Sequence, residues 1–338
     1  MTILITGGAG FIGSNFVRFI LRRHPEYYII VLDKLTYAGN EDNLRDLQHR
    51  SNFNFVRGDI CDVPLVEEMV SQAEVIVNFA AETHVDRSIQ DPSTFVMTNV
   101  FGTNVLLEAA RKLGVERFIH ISTDEVYGSI DEGSFTEEAP LNPTNPYSAS
   151  KAAADLLALS CYKTYGLPIS ITRSSNVFGP YQYPEKLIPL FVTNAMEDRP
   201  LPLYGNGLNV RNWVYTDDLC EAIMRVLLEG ENGEIYNICA DNEYTNLEIA
   251  HHIVDRLEKA KELITFVQDR PAHDKRYAID GSKIEILGWT PDHDFIDALR
   301  ETIDWYRKNE GWWRKIKEKK NGYGDYLRKQ YPTLVLEE

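Results

Sequence analysis

The chain opens with a short apolar run, Thr2–Thr6, followed by Gly7, Gly10 and Gly13 at a G-x-x-G-x-x-G spacing and then by a helical pattern over Phe11–His24. Few openings restrict a fold so tightly. Residues without a Cβ permit a tight turn and let the backbone approach a pyrophosphate. The helix that follows offers free N–H groups and a partial positive charge. Such glycines alone are weak evidence, but here they follow a strand, and Asp33 ends the next strand 33 − 13 = 20 residues after Gly13. An acid at that point can accept from ribose hydroxyls and repels a 2′-phosphate, so these residues point to NAD rather than NADP. Gly7, Gly10, Phe11, Ile12, Gly13 and Asp33 are the first cofactor contacts expected.

Apolar runs at Thr2–Thr6, Tyr28–Leu32, Phe53–Arg57, Val75–Phe79, Arg117–Ser122 and Ile169–Arg173 alternate with helical patterns such as Asn99–Gly114 and Ser148–Gly166. Strands apolar on both faces belong to parallel sheets covered by helices. The alternation predicts an α/β fold, a Rossmann-type doubly wound parallel sheet over residues 1–180. Beyond Gly179, prolines at 180, 184, 189, 200 and 202 break the chain into loops and one short helix. Then come a helix at Thr216–Glu229, a strand at Glu234–Cys239 and a helix at Thr245–Lys259 whose Thr245-Asn246-Leu247-Glu248 start has the form of a capping box. Phe295–Lys308 reads as the final helix. Residues 181–338 are therefore expected to form a smaller α/β substrate-binding lobe, with some segments returning to the sheet. The basic, aromatic tail from Trp312 carries little pattern, and its lysines read as a solvated helix end.

A net charge of −16 and a pI near 5.0 exclude a general binder of nucleic acid or anionic membrane. A phosphate-bearing ligand must then be met by a few locally placed Arg and Lys residues. There is no apolar run of membrane-spanning length and no signal-peptide pattern. Cys61, Cys161, Cys220 and Cys239 show no C-x-x-C spacing and read as free thiols in a reducing compartment. A soluble cytoplasmic protein without a metal site is expected.

The chemistry lies in Ser122-Thr123-Asp124-Glu125-Val126-Tyr127-Gly128 and in Tyr147-x-x-x-Lys151. Tyr147 and Lys151 are four apart on a helical pattern and share a face. A phenol is a poor base at neutral pH, and an ammonium beside it, helped by a nicotinamide cation, favours the phenolate and lowers its pKa. Such a tyrosine can take the proton of a sugar hydroxyl while hydride leaves the same carbon. Neighbouring strand side chains point to opposite faces, so Asp124 and Glu125 reach one pocket only if the backbone turns just after Ser122. The Tyr/Lys pair alone suffices for epimerisation; two added carboxyls suit an elimination. Once C4 of a hexose is a carbonyl, its C5 proton is acidic. One carboxylate can remove that proton while the other, protonated, serves the departing C6 hydroxyl. Hydride return to C6 gives a 4-keto-6-deoxysugar with no net redox change. The strand ends Asp59–Ile60 and Phe79–Thr83 border the same crevice, because ligands in such sheets sit outside the carboxyl ends of the strands.

On these residues the chain resembles the extended short-chain dehydrogenase/reductase family and, within it, the dTDP-glucose 4,6-dehydratases, from Met1 to at least Lys308. The resemblance rests on Thr6–Gly13, Asp33–Asn40, Ala80–Ser88, Ser122–Gly128, Pro146–Lys151, Pro184–Pro189 and Asp269-Arg270-Pro271-Ala272-His273-Asp274. It implies that NAD is held also by Lys34, Leu35, Thr36, Asp59, Ile60, Phe79, Ala80, Ala81, Thr83, Thr98, Tyr147, Lys151 and Val177. It implies that Thr123 binds the sugar 4-hydroxyl, that Asp124 is the acid for C6 and Glu125 the base at C5. Tyr147 is then the C4 base, with Lys151 tuning it and holding the nicotinamide ribose. A nucleotide-diphosphate sugar would be held by Thr83, Thr123, Asn176, Lys186, Leu187, Pro202, Tyr204, Arg211, Asn246, Asp269, Arg270, His273 and Tyr277, with Glu185 ordering its loop and taking no catalytic role. Arg211 and Arg270 also suit a diphosphate on physical grounds, since guanidinium binds phosphate oxygens in pairs. A homodimer is implied through the helices around Asn99–Gly114 and Ser148–Gly166.

Asn176-Val177-Phe178 departs from the family's common Asn-Asn-Tyr and leaves Val177 only its backbone for the cofactor; the segment from Val126 to Asn145 is compact. UDP-glucose 4,6-dehydratases match almost as well, so the sugar chemistry is firmer than the base. UDP-sugar 4-epimerases share the glycines, Tyr and Lys but lack the paired acids. A non-catalytic NAD-binding scaffold would need neither the acids nor Tyr147 with Lys151.

Overall fold

The computed structural model describes residues 1–271, 273–318 and 323–331; Ala272 of the Asp269–Asp274 motif lies outside them. Seven parallel strands form the main sheet: β1 (Thr2–Thr6), β2 (Tyr28–Asp33), β3 (Phe53–Arg57), β4 (Val75–Asn78), β5 (Arg117–Thr123), β6 (Ile169–Ser174) and β7 (Ile235–Ile238). Their order is β3-β2-β1-β4-β5-β6-β7, with Thr6 beside Asn78 and Thr123 beside Ser174. The order reverses between β1 and β4. That switch point opens a crevice at the carboxyl end of β1, where the glycine loop sits.

Burial on both faces explains the apolar strand sequences. Ile3 and Ile5 pack on one side of the sheet with Phe16, Ile20, Leu219 and Ile223, from the helices Phe11–Arg23 and Thr216–Glu229. Leu4, between them, points to the other side and meets Leu106, Ala110 and Ala158, from the helices Thr103–Leu113 and Pro146–Tyr165. The expected helix from Asn99 starts as a π-helical turn, Val96–Gly102. There the Asn99 amide bonds the Glu82 backbone N–H at 2.8 Å and C=O at 3.0 Å, and Ser150 Oγ at 2.8 Å. Such turns recur at functional sites, and this one carries Thr98 toward the crevice.

A second core lies beyond the sheet. Phe178, Leu190, Phe191, Trp213, Ile253, Phe295 and Tyr306 pack together there, beside the parallel pair Leu201–Tyr204 and Ile264–Val267. The capping box at Thr245 forms: Glu248 N–H donates to Thr245 Oγ1 at 3.2 Å, and Thr245 N–H to Glu248 Oε2 at 2.7 Å.

The tail departs from expectation. Phe295–Lys308 is followed by helices at Glu310–Lys317 and Tyr323–Gln330. Trp313, Ile316, Tyr323 and Tyr331 are buried. Lys315 is exposed, as a solvated helix end should be, but Lys317 is not: its ammonium bonds Asn194 Oδ1 at 3.0 Å and Glu197 Oε2 at 2.5 Å. An edge-on contact of Trp312 with Tyr306 and this ion pair, rather than periodicity, order the segment. No helix among the described residues is long and apolar enough to cross a membrane, and the four cysteines are unpaired.

Candidate active site

A cavity of about 270 Å³ runs along the carboxyl ends of the strands around the switch point. A Cβ on Gly7 would lie 2.6 Å from Ala80 N, and one on Gly13 would lie 2.4 Å from Gly7 O. These backbones approach as only glycines can. Gly10 caps the helix Phe11–Arg23 without any side chain, so its first N–H groups remain available to an anion. Asp33 Oδ2 accepts from Ala9 N–H at 2.9 Å and its Oδ1 from Leu35 N–H at 2.8 Å, which fixes the carboxyl at the end of β2. Lys34 pairs with Asp59 across the cavity mouth at 2.6 Å. The residues present therefore fit a dinucleotide.

Gly7, Gly10, Phe11, Ile12, Gly13, Asp33, Lys34, Thr36, Asp59, Ile60, Phe79, Ala80, Ala81, Thr83, Thr98, Tyr147, Lys151 and Val177 all line this cavity. Leu35 does not, which corrects the expectation for its side chain. It adopts a left-handed φ of 56° and packs against the sheet core. Ala38, Gly39 and Glu82, from the Asp33–Asn40 and Phe79–Thr83 segments, line it too, and Gly58 and the Ser174–Ser175 pair line it without having been singled out.

β5 runs one residue past Ser122. Thr123 then caps a 3₁₀ turn, Asp124–Tyr127, its Oγ1 accepting from Glu125 N–H at 3.3 Å. The turn defeats strand alternation, and both Asp124 and Glu125 line the cavity with Tyr147 and Lys151. Thr123 Oγ1 donates to Asp124 Oδ1 at 3.2 Å. Asp124 Oδ2 and Glu125 Oε2 are sealed from solvent and have no hydrogen-bond partner among the described residues. Unpartnered buried carboxylate oxygens call for an explanation, and a ligand hydroxyl supplies one.

Burial, and then the charge of Glu125, push Asp124 up to about 7. Burial also raises Glu125, but Arg270, Lys186 and Arg211 oppose it. Burial, then Glu125, push the Tyr147 phenol up, and Thr123 opposes them. The ammonium of Lys151 donates to Ile121 O at 2.6 Å, and burial brings it down to about 8 against the pull of Asp155.

A second cavity, of about 150 Å³, adjoins the first, with Glu125, Asn176 and Lys186 common to both linings. Glu185, Leu187, Pro202, Tyr204, Arg211, Asn246, Arg270, His273 and Tyr277 line the second. Thr83 and Thr123 belong to the first. Asp269 lines neither: its Oδ1 meets His273 Nδ1 at 2.6 Å, so it holds the imidazole rather than facing the cavity. The Arg211 guanidinium lies 4.2 Å over the Tyr277 ring, and Arg270 reaches Asp86 Oδ1 at 3.3 Å. In a chain of charge −16, Lys186, Arg211 and Arg270 meet at one cavity, where Asp86, Glu125 and Glu185 stand beside them. His84, Asp86, Phe191, Trp213 and Tyr331 also line it. His84 and Asp86 sit inside the Ala80–Ser88 motif and were open to discovery there. Tyr331 carried no signal, since only the folding of the tail brings it in.

A family model described as GDP-mannose 4,6 dehydratase matches residues 4–302. The chain is 52% identical over 322 residues to a dTDP-glucose 4,6-dehydratase of Streptomyces niveus, covering 94% of this chain and 96% of that one. Among solved structures it is similar to DesIV, a dTDP-glucose 4,6-dehydratase of Streptomyces venezuelae solved with NAD bound. The TM-score is 0.92 at 52% identity, over 94% of this chain and 100% of that one. It is also similar to a dTDP-glucose 4,6-dehydratase of Bacillus anthracis in complex with NAD, with a TM-score of 0.88 at 50% identity over 94% and 100% of the two chains.

Proposed function

The chain belongs to the GDP-mannose 4,6 dehydratase family, and from that premise we propose that it is an NAD-dependent dTDP-glucose 4,6-dehydratase. The carrying observation is that two adjacent carboxyls share one cavity with Tyr147 and Lys151 while standing in unlike surroundings. Titratable neighbours pushed apart in this way divide into an acid and a base.

NAD, when bound, supplies the acceptor and donor of hydride. Thr123 Oγ1 orients the C4 hydroxyl, and Tyr147 Oη takes its proton. Burial and Glu125 oppose loss of the phenol's own proton, so positive charge is needed beside it, and Lys151 carries that charge on the same helix face. Glu125, held toward the carboxylate form by Arg270, Lys186 and Arg211, removes the C5 proton. Asp124, protonated below about 7, gives its proton to the C6 hydroxyl, which leaves as water. Glu125 then returns its proton to C5. The proton gained at Tyr147 matches the one lost from Asp124, and the Thr123 hydroxyl, bonded to Asp124 at 3.2 Å, suits the transfer that resets them.

Lys186, Arg211 and Arg270 of the second cavity suit the diphosphate, and its apolar members Leu187, Phe191, Pro202 and Leu203 suit a methylated pyrimidine. Two further readings belong to the same proposal. Phe101, Leu113, Leu156, Tyr162 and Tyr165 are exposed on the segments Val96–Leu113 and Pro146–Tyr165, a clustering that supports a second copy of this chain as partner. Four unpaired cysteines support a reducing, cytoplasmic setting.

Purified protein offered dTDP-glucose or UDP-glucose separately, without added reductant, tests the reading. We expect the 4-keto-6-deoxy product from dTDP-glucose at least about tenfold faster, the roughly 1.4 kcal/mol of one good contact. Equal rates would overturn the base assignment, and no keto sugar from either would overturn the activity.

A further inference from the structure

Arg87 takes no part in the chemistry above, yet it joins three segments that border the two cavities. It lies on the short helix Val85–Gln90, four residues after Thr83 of the first cavity and next to Asp86 of the second. Its Nε and Nη2 both donate to Glu185 Oε2, at 3.1 and 3.0 Å. Glu185 is 1% exposed in its side chain, and it precedes Lys186, which lines both cavities and donates to Thr83 O at 2.9 Å. On its other side the Arg87 guanidinium lies 3.9 Å over the ring of Tyr37. Tyr37 belongs to the loop whose Lys34, Thr36, Ala38 and Gly39 line the first cavity, and its ring meets Tyr183 edge-on at 5.6 Å.

We propose that Arg87 is a positioning residue that couples the two sites, tying closure of the cofactor loop at Tyr37 to the seating of the Glu185–Lys186 loop in the sugar cavity. The physical basis is that neither contact is independent of the other. Burial pushes the Glu185 carboxyl up, and Arg87 is the strongest influence holding it down. A planar guanidinium can stack on a ring and form a fork at once, which an ammonium cannot. If the loop lifts to release a dinucleotide, Tyr37 leaves the guanidinium face and a buried carboxylate is left less well compensated. An anion on Lys186 that favours the seated loop thereby favours the closed cofactor site, and the effect is reciprocal.

The inference rests on the proposed activity only for the identity of the two ligands. The test is the release rate of bound NAD, followed by exchange against labelled NAD, with and without saturating thymidine diphosphate. In the wild-type protein thymidine diphosphate should slow release at least about fivefold. Arg87→Met should bring that ratio below about twofold, with Arg87→Lys between the two. Tyr37→Leu leaves the Arg87–Glu185 ion pair in place and removes the ring together with the hydroxyl that acts on Glu185, so it must lose coupling as well; it decides the matter if Arg87→Met melts too low to use. A merely structural role would lower the melting temperature and leave the ratio unchanged. A wild-type ratio near one, or variants that keep the wild-type ratio, overturn the proposal. Coupling without turnover of any nucleotide sugar would sink the proposed activity and leave this inference standing.

Discussion

Asp124 and Glu125 are consecutive, line one cavity, and answer to different charges: Arg270, Lys186 and Arg211 hold Glu125 down, whereas Asp124 is raised by the charge of Glu125 and opposed by Arg211 and by hydrogen bonds from Thr123 and the Glu125 backbone. That asymmetry separates a proton donor from a proton acceptor within one 3₁₀ turn.

Removing one function should leave the other in place. Glu125→Gln is expected to abolish deuterium uptake at C5 from heavy water, and Asp124→Asn to slow dehydration about 10²-fold or more. The double variant should still oxidise C4, seen as reduced-nicotinamide absorbance on the protein, without forming product. Full dehydration by the double variant would remove both acids from the mechanism.

With Asp124 pushed up to about 7, the acid is consumed as pH rises. kcat/KM should fall through about pH 7, and Asp124→Asn should lose that limb. Stability carries the same signature with a definite sign. The ordinary value is 3.8, so between 3.8 and about 7 the folded chain binds a proton that the unfolded chain has lost, and stability drops as pH rises across that window. Asp124→Asn should therefore melt higher than wild type above pH 7, by at least about 2 °C, and the gap should close as pH falls toward 3.8. A gap independent of pH would contradict the raised value.

The sheet and the cofactor end were legible because local pattern decides them. Ile3, Leu4 and Ile5 must be apolar on both faces, and Gly7 and Gly13 sit where a Cβ would strike backbone. Thr245 and Glu248 cap their helix with no help from elsewhere. What stayed hidden depends on the assembled molecule. The direction of the Tyr147 shift is set chiefly by burial, which no spacing reports. Leu35 turns inward through a left-handed backbone, and Tyr331 reaches the second cavity only because two short helices fold back over Tyr306 and Glu197.

Those helices hang on Trp313. It is fully buried, and its indole N–H donates to Tyr306 O at 2.9 Å. Trp313→Ala leaves both a cavity and an unmatched carbonyl, and should cost about 3–5 kcal/mol in urea unfolding. Trp313→Phe keeps most of the volume and should cost less than half of that. A loss for Trp313→Ala under about 1 kcal/mol would mean that the tail is not part of the cooperative core.

The apolar face on Val96–Leu113 and Pro146–Tyr165 sets the last expectation. Leu156 is 59% exposed and Phe101 42%, on helices whose opposite sides are fixed in the sheet core by Leu106, Ala110 and Ala158. In a two-fold dimer the same patch meets itself, so one substitution places like charges on both sides of the interface. Leu156→Asp with Phe101→Asp leaves the sheet core untouched, because both residues are among the exposed hydrophobics and neither belongs to a buried cluster. Sedimentation should therefore find a dimer for wild type and a folded monomer for the double variant, with an unchanged far-ultraviolet spectrum. A wild-type monomer, or a double variant that stays dimeric, would mean that this face is not where two copies meet.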